Sequence, residues 1–232
     1  MATRAPIATE QRVTARLWHD GWLRSARRCE SPNFGARPAG VLPELVVVHS
    51  ISLPPGVYGG DAIERLFTNR LDWNAHPYYA QIRGLEVSSH FVVRRDGELL
   101  QFVSCDQRAW RAGASHWRGR DNCNDFSIGI ELEGLEGSTF EPAQYETLLV
   151  LLKRVARRYR ISGLAGHEHI APGRKHDPGR LRLASRRCGA ALAAPVFSRR
   201  VDVRPLTPRI ASAVVCMLEA HAGRGPQAES RR

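Results

Sequence analysis

The chain has 232 residues, enough for one domain with a substantial buried core and a short appendage. Hydrophobic residues make up 43% and charged residues 25%, which excludes wholesale disorder. The net charge of +11 would favour nucleic acid as a partner, but residues 180–232 hold eleven arginines, no lysine and three acidic residues, a net +8 that leaves +3 for residues 1–179. We therefore expect no nucleic-acid partner.

The cysteines and the N-terminus indicate the compartment. Five cysteines, none in a Cys-x-x-Cys pair, favour reduced thiols over a disulfide framework. The first ten residues hold no apolar run typical of a signal peptide, and no stretch of about 18 apolar residues occurs elsewhere. We expect a cytoplasmic monomer without a membrane partner.

The first predicted elements are a strand and a helix. The apolar run Leu45–His49 follows a proline and predicts a buried strand whose last side chain emerges, rigidly held, at the sheet edge. A loop rich in proline and glycine follows over residues 53–60. Asp61 is then predicted to cap a short helix, with Glu64 completing a capping box.

The middle of the chain predicts a hairpin and a second buried strand. Two apolar runs within residues 88–103 flank Asp96-Gly97, a typical hairpin turn. From Phe126 to Glu133 apolar residues alternate with others, so one face of the strand is apolar. The other face carries Ser127, Gly129, Glu131 and Glu133.

A helix and a loop complete the predicted domain. A stripe of apolar residues predicts a helix from about Pro142 to Tyr159. Two Pro-Gly pairs predict a loop over residues 166–179. Strands mixed with helices indicate an α/β (α+β) domain with a mixed central β-sheet flanked by helices.

Histidines at two places are candidate metal ligands. His49 ends the first strand, and His167, His169, His176 and Asp177 lie together in the glycine-rich loop. A catalytic zinc site uses three protein ligands and leaves a fourth position to water. The spacing alone does not choose among the three loop histidines, and a solvated basic loop is the alternative.

Glu131 is a candidate acid or base. It lies beside Gly129, whose missing side chain would leave room for a substrate. The alternative is a solvent-facing strand with two exposed glutamates, Glu131 and Glu133.

Four stretches of the chain resemble one known family: Ser31–Phe34, Val48–Gly56, Cys123–Gly134 and Gly166–Gly179. From about Gly21 to Gly179 the chain resembles the type 2 N-acetylmuramoyl-L-alanine amidases, which share a fold with the peptidoglycan recognition proteins. The likeness is greatest to the cytoplasmic members that act in cell-wall recycling. It implies that fold and zinc-dependent hydrolysis of the amide bond between (1,6-anhydro-)N-acetylmuramic acid and L-alanine in muropeptides.

The resemblance also implies roles for individual residues. The zinc ligands would be His49, His167 and Asp177; the catalytic residues Glu131, as general base, and Lys175, beside the metal; and the substrate contacts Arg174, Ala171 and Trp110. Trp110 fits core packing equally well. The main rival is a peptidoglycan-binding module without catalysis, and the presence of all three ligands argues against it.

The chain departs from the family in three places. Arg111 stands where relatives usually have histidine, and Glu86 where close relatives tend to have arginine.

After Gly179, relatives continue with proline and a Phe-Asp-Trp segment, whereas this chain reads Arg-Leu-Arg-Leu-Ala-Ser-Arg. The codons CGG-CTT-CGA-CTG-GCG-TCG-CGC would encode that run, and moving one nucleotide forward gives Gly-Phe-Asp-Trp-Arg-Arg. We therefore expect a flexible leader over residues 1–20, the zinc amidase domain over 21–179, and a disordered, out-of-frame, Arg-rich tail over 180–232.

Overall fold

The computed structural model describes residues 16–179, which form a mixed β-sheet with helices packed against it. The strands are β1 Trp18–His19, β2 Trp22–Leu23, β3 Arg27–Arg28, β4 Phe34–Gly35, β5 Leu45–Ile51, β6 Phe91–Val93, β7 Leu99–Gln101, β8 Arg108–Ala109, β9 His116–Trp117, β10 Arg120–Asp121, β11 Ser127–Glu133 and β12 Gly163–Gly166. The helices are α1 Ala62–Phe67, α2 Pro77–Gln81, a 3₁₀ turn Cys123–Phe126, α3 Pro142–Arg158 and α4 His167–Ile170.

The central sheet has six strands in the order β12-β5-β11-β6-β7-β3. The first four strands in this order run parallel, β7 runs antiparallel to β6, and β3 is parallel to β7. Short two-stranded ladders, β1-β2, β4-β8 and β9-β10, lie outside it. The expected mixed sheet flanked by helices is confirmed.

The two long central strands are buried on both faces. Val46 and Val48 of β5 join Ile128, Ile130 and Leu132 of β11 in the cluster that packs against α3. On the other face, Leu45 and Val47 belong to a separate cluster with Phe126 and Ala165. Because side chains alternate along a strand, His49 and Glu131 lie on the face turned away from α3.

The predicted helix and hairpin are confirmed. In α3 the apolar stripe, including Leu148 and Val155, is buried, and the side chain of Gln144 accepts a hydrogen bond from the Glu141 amide at 2.9 Å. Strands β6 and β7 form the hairpin, with Gly97 at φ +88° in the turn.

Two local predictions are wrong. Asp61 does not cap α1 with its side chain; its carboxylate binds Arg65, and that of Glu64 binds Arg27 and Arg94. A guanidinium is a stronger hydrogen-bond donor than a backbone amide, so it takes these carboxylates. The predicted loop over residues 166–179 contains α4 and begins with the last residue of β12.

The structure describes the last part of the expected leader and none of the expected tail. Trp18, within the expected leader, pairs in β1 and is buried in the main core, so the last residues of that segment pack on the domain. Residues 1–15 and the expected tail, 180–232, lie outside the described residues. Cys29, Cys105 and Cys123 are free thiols; the other two cysteines are not described. Within residues 16–179 no helix combines the length and the apolar character needed to cross a bilayer.

Candidate metal centre

Two neighbouring parallel strands carry the first two residues of the site. Strands β5 and β11 are paired so that Glu131 lies directly opposite His49. Both side chains are buried, with 2% of His49 and 6% of Glu131 exposed. The hydrogen-bonded ladder therefore holds both groups in place.

The segment after β12 brings the other two residues to the same place. β12 pairs with β5 so that Gly166 lies opposite Val48, and His167 follows immediately, beside the end of the strand that carries His49. The backbone carbonyl of Asp177 accepts a hydrogen bond from the Glu168 amide at 2.9 Å, which folds the loop back onto α4.

Three side chains converge at one point. The Nδ1 atoms of His49 and His167 lie 3.3 Å and 3.1 Å from Oδ2 of Asp177, and the candidate ligand atoms all lie within 4.8 Å of one another. The Nε2 atom of His167 lies 3.2 Å from the carbonyl oxygen of Ala112. Because a carbonyl only accepts, Nε2 carries the proton and Nδ1 is left to bind a metal. Two imidazoles and a carboxylate are a donor set of catalytic zinc, so these residues fit that ion.

The charge states suit metal binding. Burial, opposed by the contact with Asp177, lowers the pKa of His49 to about 3, so its imidazole is neutral at neutral pH. Burial tends to raise the pKa of Asp177, but its contacts with His167 and His49 outweigh this and hold the pKa below its usual range. Metals bind neutral imidazole and ionised carboxylate, and both are present.

Glu131 lies in an environment that favours its protonated form. Burial and then the negative charge of Asp177 raise the pKa of Glu131 to about 8, against the opposing charges of Arg111 and Lys175. Only 1% of Glu133 is exposed as well, so the alternative of a solvent-facing strand with two exposed glutamates is wrong. The strand alternation did not reveal that this face is covered.

Arg111 is the main residue of the site that sequence reasoning missed. Its side chain lies over Gly129: a Cβ atom there would be 2.0 Å from Nε of Arg111. The space expected for a substrate beside Gly129 is therefore filled by this side chain. Arg111 donates to the Ser127 hydroxyl, and burial, followed by the charge of Arg37, lowers the pKa of Arg111 to about 9. Only the departure from the family's histidine drew attention to this position.

The other two loop histidines are outside the cluster. Nδ1 of His169 accepts a hydrogen bond from the Gly166 amide at 3.1 Å, which holds the start of α4. His176 is exposed. Of the three histidines that the spacing left open, the structure brings only His167 into the group with His49 and Asp177.

The second expected catalytic residue, Lys175, and the three expected substrate contacts differ in exposure. Lys175 is exposed, and its charge acts on Glu131. Ala171 is buried, and its carbonyl accepts from the amides of Arg174 and Lys175 at 3.2 and 3.1 Å. Arg174 is exposed and binds backbone carbonyls, and Trp110 is 36% exposed, so its ring is open to solvent in part.

Comparison with known proteins places this centre in a family. A family model described as N-acetylmuramoyl-L-alanine amidase matches residues 39–180, a range that contains every residue of the candidate centre. The chain belongs to this amidase family.

Its relatives include proteins named 1,6-anhydro-N-acetylmuramyl-L-alanine amidase AmpD. The one from Citrobacter freundii is 51% identical over 165 residues, which cover 70% of this chain and 88% of the relative. The one from Escherichia coli (strain K12) is 49% identical over 165 residues, covering 70% and 90%. A crystal structure of a selenomethionine AmpD derivative is 52% identical with a TM-score of 0.69, covering 70% of this chain and 92% of that one. The amidase fold expected from the sequence is confirmed.

Proposed function

We propose that this protein is a zinc-dependent amidase that hydrolyses the bond between (1,6-anhydro-)N-acetylmuramic acid and L-alanine in muropeptides. The family, and relatives named for that reaction at about half identity, support the substrate class. We infer a cytoplasmic monomer acting in peptidoglycan recycling, without nucleic-acid or membrane partners.

One observation carries the proposal: the convergence of His49, His167 and Asp177, with Glu131 on the strand position opposite His49. The three ligands come from two distant parts of the chain and are all buried. A buried carboxylate that faces two imidazoles, beside a second carboxyl with a raised pKa, is an arrangement expected of a hydrolytic metal site.

The residues divide the chemical work. A zinc ion held by the three ligands would activate water and polarise the scissile carbonyl. Glu131 takes the proton of the attacking water and returns it to the departing alanine amine. The raised pKa of Glu131, about 8, lies near the working pH and suits a carboxyl group that must both accept and donate a proton. The Lys175 ammonium stabilises the negative charge that develops on the carbonyl oxygen.

Substrate contacts by Arg174, Ala171 and Trp110 stay predictions. The part-exposed ring of Trp110 offers an apolar surface for a sugar or peptide face. Glu86, where the family resemblance led us to expect arginine, is exposed and offers no cation to an acidic stem peptide.

The test is release of free peptide from an anhydro-muropeptide by the zinc-loaded wild type, His49→Ala and His176→Ala. His176 is the matched control, because it lies next to Asp177 yet is exposed and outside the cluster. We expect His49→Ala to lose hydrolysis and zinc, and His176→Ala to keep both. Muropeptide binding without hydrolysis by the wild type would contradict the proposal and favour the binding module.

We also propose that residues 21–179 form the amidase unit and that 180–232 are an out-of-frame reading of the family's C-terminus. Sequencing the gene decides this. Codons that fail to restore Phe-Asp-Trp after a shift of one nucleotide would refute it.

A further inference from the structure

The orientation of one candidate ligand depends on a backbone carbonyl. On the side of its ring away from the other candidate ligands, His167 donates from Nε2 to the Ala112 carbonyl at 3.2 Å, while Nδ1 faces Oδ2 of Asp177 at 3.1 Å. A hydrogen bond from the far nitrogen of a ligand histidine fixes its tautomer and ring angle, and losing such a partner typically weakens metal binding about 10- to 100-fold. The Ala112 carbonyl is therefore in a position to control the geometry of the metal site.

That carbonyl is itself held by Arg174. Nη2 of Arg174 donates to the Ala112 oxygen at 2.7 Å and to the Ala114 oxygen at 2.6 Å. On its other side, the Ala112 amide donates to Oδ1 of Asn124 at 3.0 Å. The peptide groups around Ala112 are thus held from both sides, and Arg174 supplies the side chain that reaches them from the metal-binding loop.

Arg174 also connects the two loop-borne ligands. It lies three positions before Asp177, and its own amide binds the carbonyl of Ala171 at 3.2 Å, which follows α4 and His167. The guanidinium therefore ties the segment that carries Asp177 to the carbonyl that orients His167. Both connections run through backbone atoms, so no residue pattern in the sequence reports them.

We propose that Arg174 is a positioning residue for the metal site: it holds the Ala112 carbonyl, which orients His167 for metal binding. This inference rests on zinc as the metal of the proposed function, and it is distinct from a contact with the substrate. A contact with substrate alone would change the Michaelis constant and leave zinc affinity unchanged.

The charge of Arg174 and its hydrogen bond to the Ala112 carbonyl predict opposite effects on zinc affinity when Arg174 is replaced. A positive charge near the site repels a divalent cation, so its loss by electrostatics alone would strengthen zinc binding. Loss of the carbonyl anchor would weaken it. The sign of the change in zinc affinity therefore separates the two explanations.

The experiment measures zinc affinity of the full chain by competition with a chromogenic chelator, for wild type, Arg174→Gln, Arg174→Lys and Arg154→Gln. Arg154 is the matched control, since it loses the same charge and a hydrogen bond, to the Ser25 hydroxyl, away from the site. Thermal unfolding of the zinc-free forms checks that each variant is folded, as expected for the exposed Arg174.

We expect Arg174→Gln to weaken zinc binding by about 10-fold, the lower end of the range for losing a direct partner, because the Ala112 carbonyl itself remains, and Arg154→Gln to leave it within about twofold. Arg174→Lys keeps the charge but reaches the two carbonyls less well, so its affinity should fall between wild type and Arg174→Gln. Unchanged or tighter zinc binding in Arg174→Gln, or wild-type affinity in Arg174→Lys, overturns the inference. A wild type that binds no zinc overturns the proposed function itself.

Discussion

Glu131 and Glu133 occupy the same face of β11 two positions apart, yet their carboxyl groups have different surroundings. Glu133 is hydrogen-bonded: its carboxylate accepts from the Gly59 amide at 2.7 Å, the Arg95 amide at 3.2 Å and Nη1 of Arg94 at 3.3 Å. Among residues 16–179, no hydrogen bond is assigned to the Glu131 carboxyl. Replacing each with glutamine therefore tests the assignment of catalysis to one and stability to the other.

For Glu131→Gln we expect a loss of activity of about 10²- to 10⁴-fold with zinc saturating, since the amide cannot accept the proton. Its zinc-free form should be more stable at pH 7. The folded carboxyl has a pKa of about 8 and the unfolded one about 4.5, so stability is lost as the pH rises from 4.5 to 8. At pH 7 that loss is about 3 kcal/mol, and glutamine removes it.

For Glu133→Gln we expect the opposite pattern: stability falls and activity is largely kept. Losing the charge weakens its bond to Arg94, worth about 1.5–3 kcal/mol of unfolding free energy for a charged hydrogen bond. The loss stays at that level because Arg94 keeps a second partner, Glu64, at 2.7 Å. Activity should stay within about tenfold of wild type, since general-base losses are larger.

Denaturant unfolding of the zinc-free variants and muropeptide hydrolysis at saturating zinc measure both effects. The reasoning is refuted if Glu133→Gln is as inactive as Glu131→Gln while its stability is unchanged. A zinc-free Glu131→Gln less stable than wild type at pH 7 would refute the assigned burial effect.

Three further results are expected. Leu148, which is 1% exposed, packs in the core, so Leu148→Ala should lower the free energy of unfolding by about 2–5 kcal/mol. Val150 lies on the same helix but is 44% exposed, so Val150→Ala should change it by no more than about 0.5 kcal/mol. Equal losses in urea titrations would contradict the packing of α3. Free zinc at about 100 times its dissociation constant should raise the free energy of unfolding of the wild type by about 2.7 kcal/mol and leave that of His49→Ala unchanged. Calorimetry that finds the same stabilisation by zinc in both proteins would argue against the ligand set. Burial lowers the pKa values of His49 and His90, so the zinc-free protein should lose stability as the pH falls below 6.5. The contribution of His49, about 1.4 kcal/mol per pH unit, is offset by the raised pKa of Glu131, so the net loss reports His90; stability that rises as the pH falls from 6.5 to 4.5 would exclude buried neutral histidines.

Local patterns in the sequence determined much of the fold. The apolar run that begins at Leu45, the alternation that ends at Glu133 and the stripe of α3 each predicted an element that the structure contains, because hydrophobic periodicity follows from which faces must be buried. Resemblance in four separate stretches then identified the group that the structure brings together, His49, His167 and Asp177.

Tertiary structure decided what those patterns could not. The alternation of residues along β11 places Glu131 on the face opposite the apolar one. Only the tertiary structure shows that this second face is also buried, and that burial raises the pKa of Glu131. Arg111 over Gly129, and Arg174 on the carbonyl of Ala112, are contacts between segments far apart in sequence. Such contacts depend on how loops cross the sheet, and residue spacing within a strand or helix carries no information about that.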